Sequence, residues 1–78
     1  MAQIPIIDQT ATGRRIKDLR IAAGISVNDL QQTLGFANPQ TIYKWQRGDG
    51  MPSLDNLVIL AAIFGVRIDD ILIVQQSK

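Results

Sequence analysis

Gly24 to Gly48, GISVNDLQQTLGFANPQTIYKWQRG, is the stretch whose reading decides the fold. It reads as two short helices joined by a tight turn. Ser26 can cap the free N–H groups that open the first helix. Val27, Leu30 and Leu34 follow at the i, i+3, i+7 spacing of a buried stripe. Gly35 suits the left-handed residue that ends a helix. Asn38 and Pro39 reopen helical structure, with Asn38 as the cap and Pro39 at the first helical position, where its missing N–H had no partner to lose. Gly48 closes the second helix.

That second helix has two unlike faces. Successive residues advance by about 100° around a helix axis. Ile42, Trp45 and Gln46 therefore share one side, which looks inward. Gln40, Tyr43, Lys44 and Arg47 share the other. A solvated face usually mixes both signs of charge, but this one carries donors, two cations and an aromatic, and no acid. Such a set reads base edges and holds phosphates. Trp45 invites a stacking role, but its inward angle assigns it to the core.

These residues, with TGRRIKDLR before them, YKWQRG at the end of the motif and MPSLDNLVILAAIFGVRIDDIL after it, resemble the phage Cro and repressor helix-turn-helix proteins, the XRE family. The resemblance covers nearly the whole chain, with several motifs in order at matching spacing. It implies an all-α, five-helix, lambda-repressor-like DNA-binding domain with a central helix-turn-helix. Counted backward from Ile42 and Trp45, the family's base-reading positions fall on Gln40 and Lys44. Another falls on Pro39, which cannot donate. Thr41 and Tyr43 border the groove. Gln suits adenine and Lys suits guanine O6 and N7. Asn38 and Arg47 would meet the duplex backbone at the two ends of the helix, and Arg15 and Arg20 would add phosphate contacts from the leading helix. The last two helices are where related repressors dimerise, which points to Val58, Ile59, Ile63, Ile71 and Ile73.

The chain also departs from that family. Val27 stands where a phosphate-donating Gln is common. Gln31 replaces a small Ala where the two motif helices cross, so its side chain must reach outward or hold them apart. The turn Phe36-Ala37-Asn38-Pro39 is one residue longer than usual, and Phe36 is expected to plug the core beneath it. Gln46 stands where the family has a Glu paired with the equivalent of Arg20. That pairing weakens from an ion pair to a bond with a neutral acceptor, by about 1 kcal/mol.

Composition fits this reading. Seventy-eight residues make one domain with a modest core, to which a partner surface would add stability. Net charge is only +1. Between Gly13 and Gly48, however, six cations face two carboxylates, while the remainder holds two cations and five carboxylates. The positive charge sits with the motif, where phosphate contact needs it. Neither Cys nor His is present, which removes disulfides, the usual metal ligands and the commonest general base. With no Glu either, the inventory leaves little for acid–base or nucleophilic chemistry. An enzyme, a metal site and a bound cofactor are not expected. No secretory or membrane-spanning stretch is visible, and a soluble cytoplasmic location is the expectation.

Around the motif, residues 1–9 form an arm, 10–74 the domain and 75–78 a polar tail. Ile4-Pro5-Ile6-Ile7 is extended, either packed on the body, which is the favoured reading, or paired as a strand with Ile71–Val74. The leading helix runs from about Thr10 to Ala23, capped by Thr10 or Thr12, with Ile16, Leu19 and Ala23 inside. Gly48 to Pro52 is a loop, not a hairpin. Ser53 caps the next helix, whose inner stripe is Leu57, Leu60, Ala61 and Phe64. Its other faces are apolar too, so a neighbour must cover them. The last helix spans about Ile68 to Leu72. Arg67 at its cap cannot accept, which leaves Asp69 and Asp70 to satisfy the open N–H groups. Two functions follow: a sequence-specific regulator binding double-stranded DNA as a homodimer, or a protein-interaction module of the antitoxin kind on the same fold.

Overall fold

The computed structural model describes residues 4–77. The order of elements is β1 (Ile4–Ile7), α1 (Gln9–Ala22), α2 (Val27–Leu34), α3 (Gln40–Arg47), α4 (Leu54–Phe64), α5 (Ile68–Ile71) and β2 (Val74–Ser77). The five helices surround one core of Ile16, Leu30, Ile42, Trp45, Leu60 and Ile71, to which Leu57 and Ala61 add.

Helix boundaries follow local chemistry. Ser26 Oγ accepts from Asp29 N–H at 3.0 Å, and Ser53 Oγ accepts from Asn56 N–H at 3.2 Å, so both serines cap as their positions predict. Gly35 ends α2 at φ +74°, where a side chain would be strained. Arg67 cannot accept, and Asp70 Oδ2 takes the Arg67 N–H at 2.9 Å. The segment after Arg47 is a loop, as its flanks require.

The arm and tail differ from expectation. Ile4–Ile7 does not simply pack on the body. It pairs antiparallel with Val74–Ser77 in the register Ile4–Ser77, Pro5–Gln76, Ile6–Gln75 and Ile7–Val74. The pairing is the strand alternative, displaced toward the tail, because Ile71 is drawn into the core and α5 occupies the residues before it. The expected polar tail is thus mostly strand. Met1 to Gln3 and Lys78 lie outside the described residues.

The cap of α1 also moves. Asp8, not Thr10 or Thr12, accepts from Ala11 N–H, at 2.9 Å. Thr12 is buried instead, and its Oγ1 accepts the Ile73 N–H at 2.9 Å. That bond fastens the approach to β2 onto α1. Ala23, expected inside, is exposed, since it already lies past the last turn of α1.

Two close contacts set the motif. Gly13 lies against α3, where a Cβ would overlap the Trp45 carbonyl oxygen. Gly is what lets the two helix backbones meet there. Phe36 packs edge-on against Trp45, with ring centroids 5.7 Å apart, and so plugs the core beneath the turn. Gln31 resolves its crowded crossing by turning its amide to the Phe36 carbonyl, 3.2 Å away. The longer side chain thus supports the longer turn.

Candidate nucleic-acid interface

Helix α3 carries the site. Ile42 is fully buried and Trp45 is 3% exposed. Other positions of the helix turn outward: Gln40, Thr41, Tyr43, Lys44 and Arg47 are all exposed. The donor face is open and the apolar face is shut.

Asn38 sits just ahead of this face, and its Oδ1 accepts from Gln40 N–H at 3.0 Å. The carbonyl of that amide is therefore engaged in starting α3, while its NH2 is left to donate outward. Pro39 falls at the cap position and Gln40 at the first turn, one residue later than the sequence suggests.

The cations around α3 differ in how free they are. Lys44 makes no ion pair among the described residues. Arg47 Nε reaches Asp49 Oδ2 at 3.0 Å, with both side chains more than half exposed. Such a pair is weak and readily exchanged for a phosphate. Arg15 Nε donates to the Asp70 carbonyl at 2.7 Å, which leans its side chain toward α5. Arg20 is half-buried. Its Nε donates to Gln46 Oε1 at 3.1 Å and its Nη1 to the Ile25 carbonyl at 2.8 Å. The expected Arg–Gln pairing is present, and two of the three guanidinium nitrogens are committed to it and to the backbone.

Between α1, the start of α2 and α3 lies an open depression of about 530 Å³, lined by Lys17, Arg20, Val27, Tyr43, Gln46 and Arg47. Three of these six residues are cations and none is a carboxylate. Lys17 is a member of this lining that the family resemblance does not single out. Its spacing of three from Arg20 on α1 is the signal that could have found it, because that spacing puts both on the face beside α3.

The residues expected at a dimer surface divide. Val58 and Ile59 are exposed on α4, and Ile63 and Ile73 are half-buried. Ile71 is fully buried in the protomer's own core and has no surface to offer a second copy. Among the described residues no cluster of acidic, His or Cys side chains could hold a metal ion, and no helix is long and apolar enough to cross a membrane.

Comparison with known proteins agrees with this geometry. Residues 16–71 match the helix-turn-helix family model. No curated protein matches the chain. Among solved structures, the restriction-modification controller protein C.AhdI from Aeromonas hydrophila is 26% identical, with a TM-score of 0.71 over 82% of this chain and 96% of that one. The DNA-binding domain of BldD is 20% identical, with a TM-score of 0.68 over 83% and 93% of the two chains. The clp gene regulator ClgR from C. glutamicum is 19% identical, with a TM-score of 0.69 over 81% and 80%. At those lower identities the likeness is one of fold. With most of its length matched by the family model, the chain belongs to the helix-turn-helix family, in its XRE branch.

Proposed function

We propose that this DNA-binding transcriptional regulator acts as a repressor, binding operator DNA as a homodimer with α3 in the major groove. Gln40 reads adenine and Lys44 reads guanine, with Thr41 and Tyr43 beside them. Asn38, Arg47 and Arg15 hold phosphates, and Lys17 joins them from the depression. Arg20 contributes its charge and its remaining N–H groups there, while its other bonds position α3. Two half-sites about 34 Å apart match a dimer axis. The protein works by binding and not by turnover, in the cytoplasm.

The observation that carries this reading is the exposure of Gln40, Lys44 and Arg47 on a helix whose Ile42 and Trp45 are shut inside. Selection of bound fragments from random duplexes tests it, followed by mobility-shift titration. The expected result is a two-fold symmetric site bound more tightly than random duplex. Binding that ignores sequence, or no binding, would overturn it.

A second reading, a protein-interaction module of the antitoxin kind, is favoured by Leu54, Val58 and Ile59, which leave apolar surface exposed on α4. A monomer indifferent to duplex DNA would support that reading.

A further inference from the structure

The ribbon of β1 and β2 is open to solvent: all four β1 residues are exposed, as are Val74 and Gln75. A two-stranded ribbon is marginal on its own. Its two outer edges are also unlike each other. Asp8 N–H donates to the Ile73 carbonyl at 2.8 Å, which puts Asp8–Ile73 at a bonded position of the ladder, although the Ile73 N–H turns to Thr12 Oγ1 instead of completing the pair. Along an antiparallel ladder such pairs alternate with pairs that exchange no bond. In the observed register, Ile6–Gln75 and Ile4–Ser77 are then bonded, and Ile7–Val74 and Pro5–Gln76 are not. The backbone groups of the unbonded pairs point away from the ribbon. On the β1 edge these belong to Pro5 and Ile7, and Pro5 has no N–H. On the β2 edge they belong to Val74 and Gln76, each with a donor and an acceptor. Proline on an outer edge keeps a strand from recruiting another. One edge of this ribbon is blocked and the other is open.

We infer that the open edge is filled by β2 of a second copy, running antiparallel across a twofold axis beside Gln75. Val74 of each copy then faces Gln76 of the partner subunit, which brings together the two positions whose backbone groups point outward. The product is a four-stranded sheet ordered β1–β2–β2–β1. Pro5 lies on both of its outer edges, so assembly stops at two copies. A foreign extended segment would satisfy the same backbone groups but would present a new edge of its own, whereas a second copy presents a blocked one. No residue of Val74–Ser77 carries a charge, so two identical strands meet without opposition. The inference rests on the homodimer proposed above and names the surface that makes it, in place of the apolar patch on α4.

Gln76→Pro tests it. Gln76 sits in an unbonded pair, so the substitution spares the β1–β2 bonds and removes half the donors of the open edge. Sedimentation velocity on the full chain should show the dimer dissociation constant raised by about tenfold or more, with Val58→Asp leaving it unchanged. A Gln76→Pro protein as dimeric as the parent, beside a monomeric Val58→Asp, overturns the β2 interface and leaves the homodimer standing. A parent chain that stays monomeric with and without DNA overturns both. Amide exchange of the parent provides a reading that does not depend on the variant's folding. Protection of the Val74 amide that rises with protein concentration supports the interface, and protection independent of concentration overturns it.

Discussion

Arg20 on α1 donates to Gln46 on α3 at 3.1 Å while a second nitrogen of the same guanidinium holds the Ile25 carbonyl at 2.8 Å. One side chain thus joins α1, the approach to α2 and the last turn of α3. Gln46→Glu restores an ionised acceptor and should raise stability by about 0.5–1 kcal/mol, discounted because both side chains are only half-buried. The new carboxylate also lines the basic depression, where it opposes phosphate by on the order of 1 kcal/mol, about fivefold in affinity. Urea denaturation and DNA titration of the same protein should therefore move in opposite directions.

Lys44 and Arg47 should separate base reading from phosphate holding. Lys44→Ala is expected to relax preference at the guanine proposed for it, by about 1–3 kcal/mol. Arg47→Ala should weaken binding to all sequences alike and lower the salt slope by about one. Titrations of specific and random duplexes at several salt concentrations distinguish the two. Equal preference in Lys44→Ala and the parent would remove α3 from the groove.

Asp49 pairs with Arg47, the cation proposed to hold a phosphate. Asp49→Asn should free the guanidinium and remove a negative charge from the interface. Affinity should rise several-fold for every duplex, with base preference unchanged. An exposed pair of this kind stabilises by about 1 kcal/mol at most, so the melting temperature should barely move.

Gly13→Ala should be among the most damaging single methyl additions. The added carbon meets the backbone carbonyl of Trp45, which cannot swing aside as a side chain would. A loss of about 3 kcal/mol is expected. Gly35→Ala places its methyl in open space and costs only the left-handed strain, about 1–2 kcal/mol. Denaturation midpoints of the two variants should rank in that order.

Thr12→Val keeps the shape of a fully buried side chain and deletes its oxygen. Ile73 N–H then has no acceptor from α1, at a cost of about 1–3 kcal/mol. Exchange of the Ile73 amide should quicken well before the core amides of α3 respond.

The helical frame was legible because its signals are local. Ser26, Gly35, Gly48 and Ser53 mark ends by their own chemistry, and the spacing of Ile42 and Trp45 fixes which side of α3 is inside. The outward set Gln40, Tyr43, Lys44 and Arg47 follows from the same rotation, whereas Thr41, close to Trp45 in angle, is placed only by the family resemblance. What was hidden depends on partners far along the chain. Asp8 is the local exception: its partner Ala11 is three residues away, and its capping role exists only once α1 starts at Gln9. Thr12 looked like a cap because Ile73, the group it holds, lies at the other end of the sequence. The β1–β2 pairing is hidden for the same reason: short β-prone runs show no partner until the helices bring them together. The worth of Arg20 and Lys17 is not written locally, since it depends on the depression that α1 and α3 enclose between them.

The ribbon has a kinetic meaning as well. β1 is made before the five helices, and its mate among the described residues, Val74–Ser77, is made after them. The helical body can therefore condense while Ile4–Ile7 is still unpaired, and the ribbon closes as a final and separately reversible step. A chain without Val74–Ser77 would offer β1 no mate and, on the interface inferred above, would offer a second copy no edge.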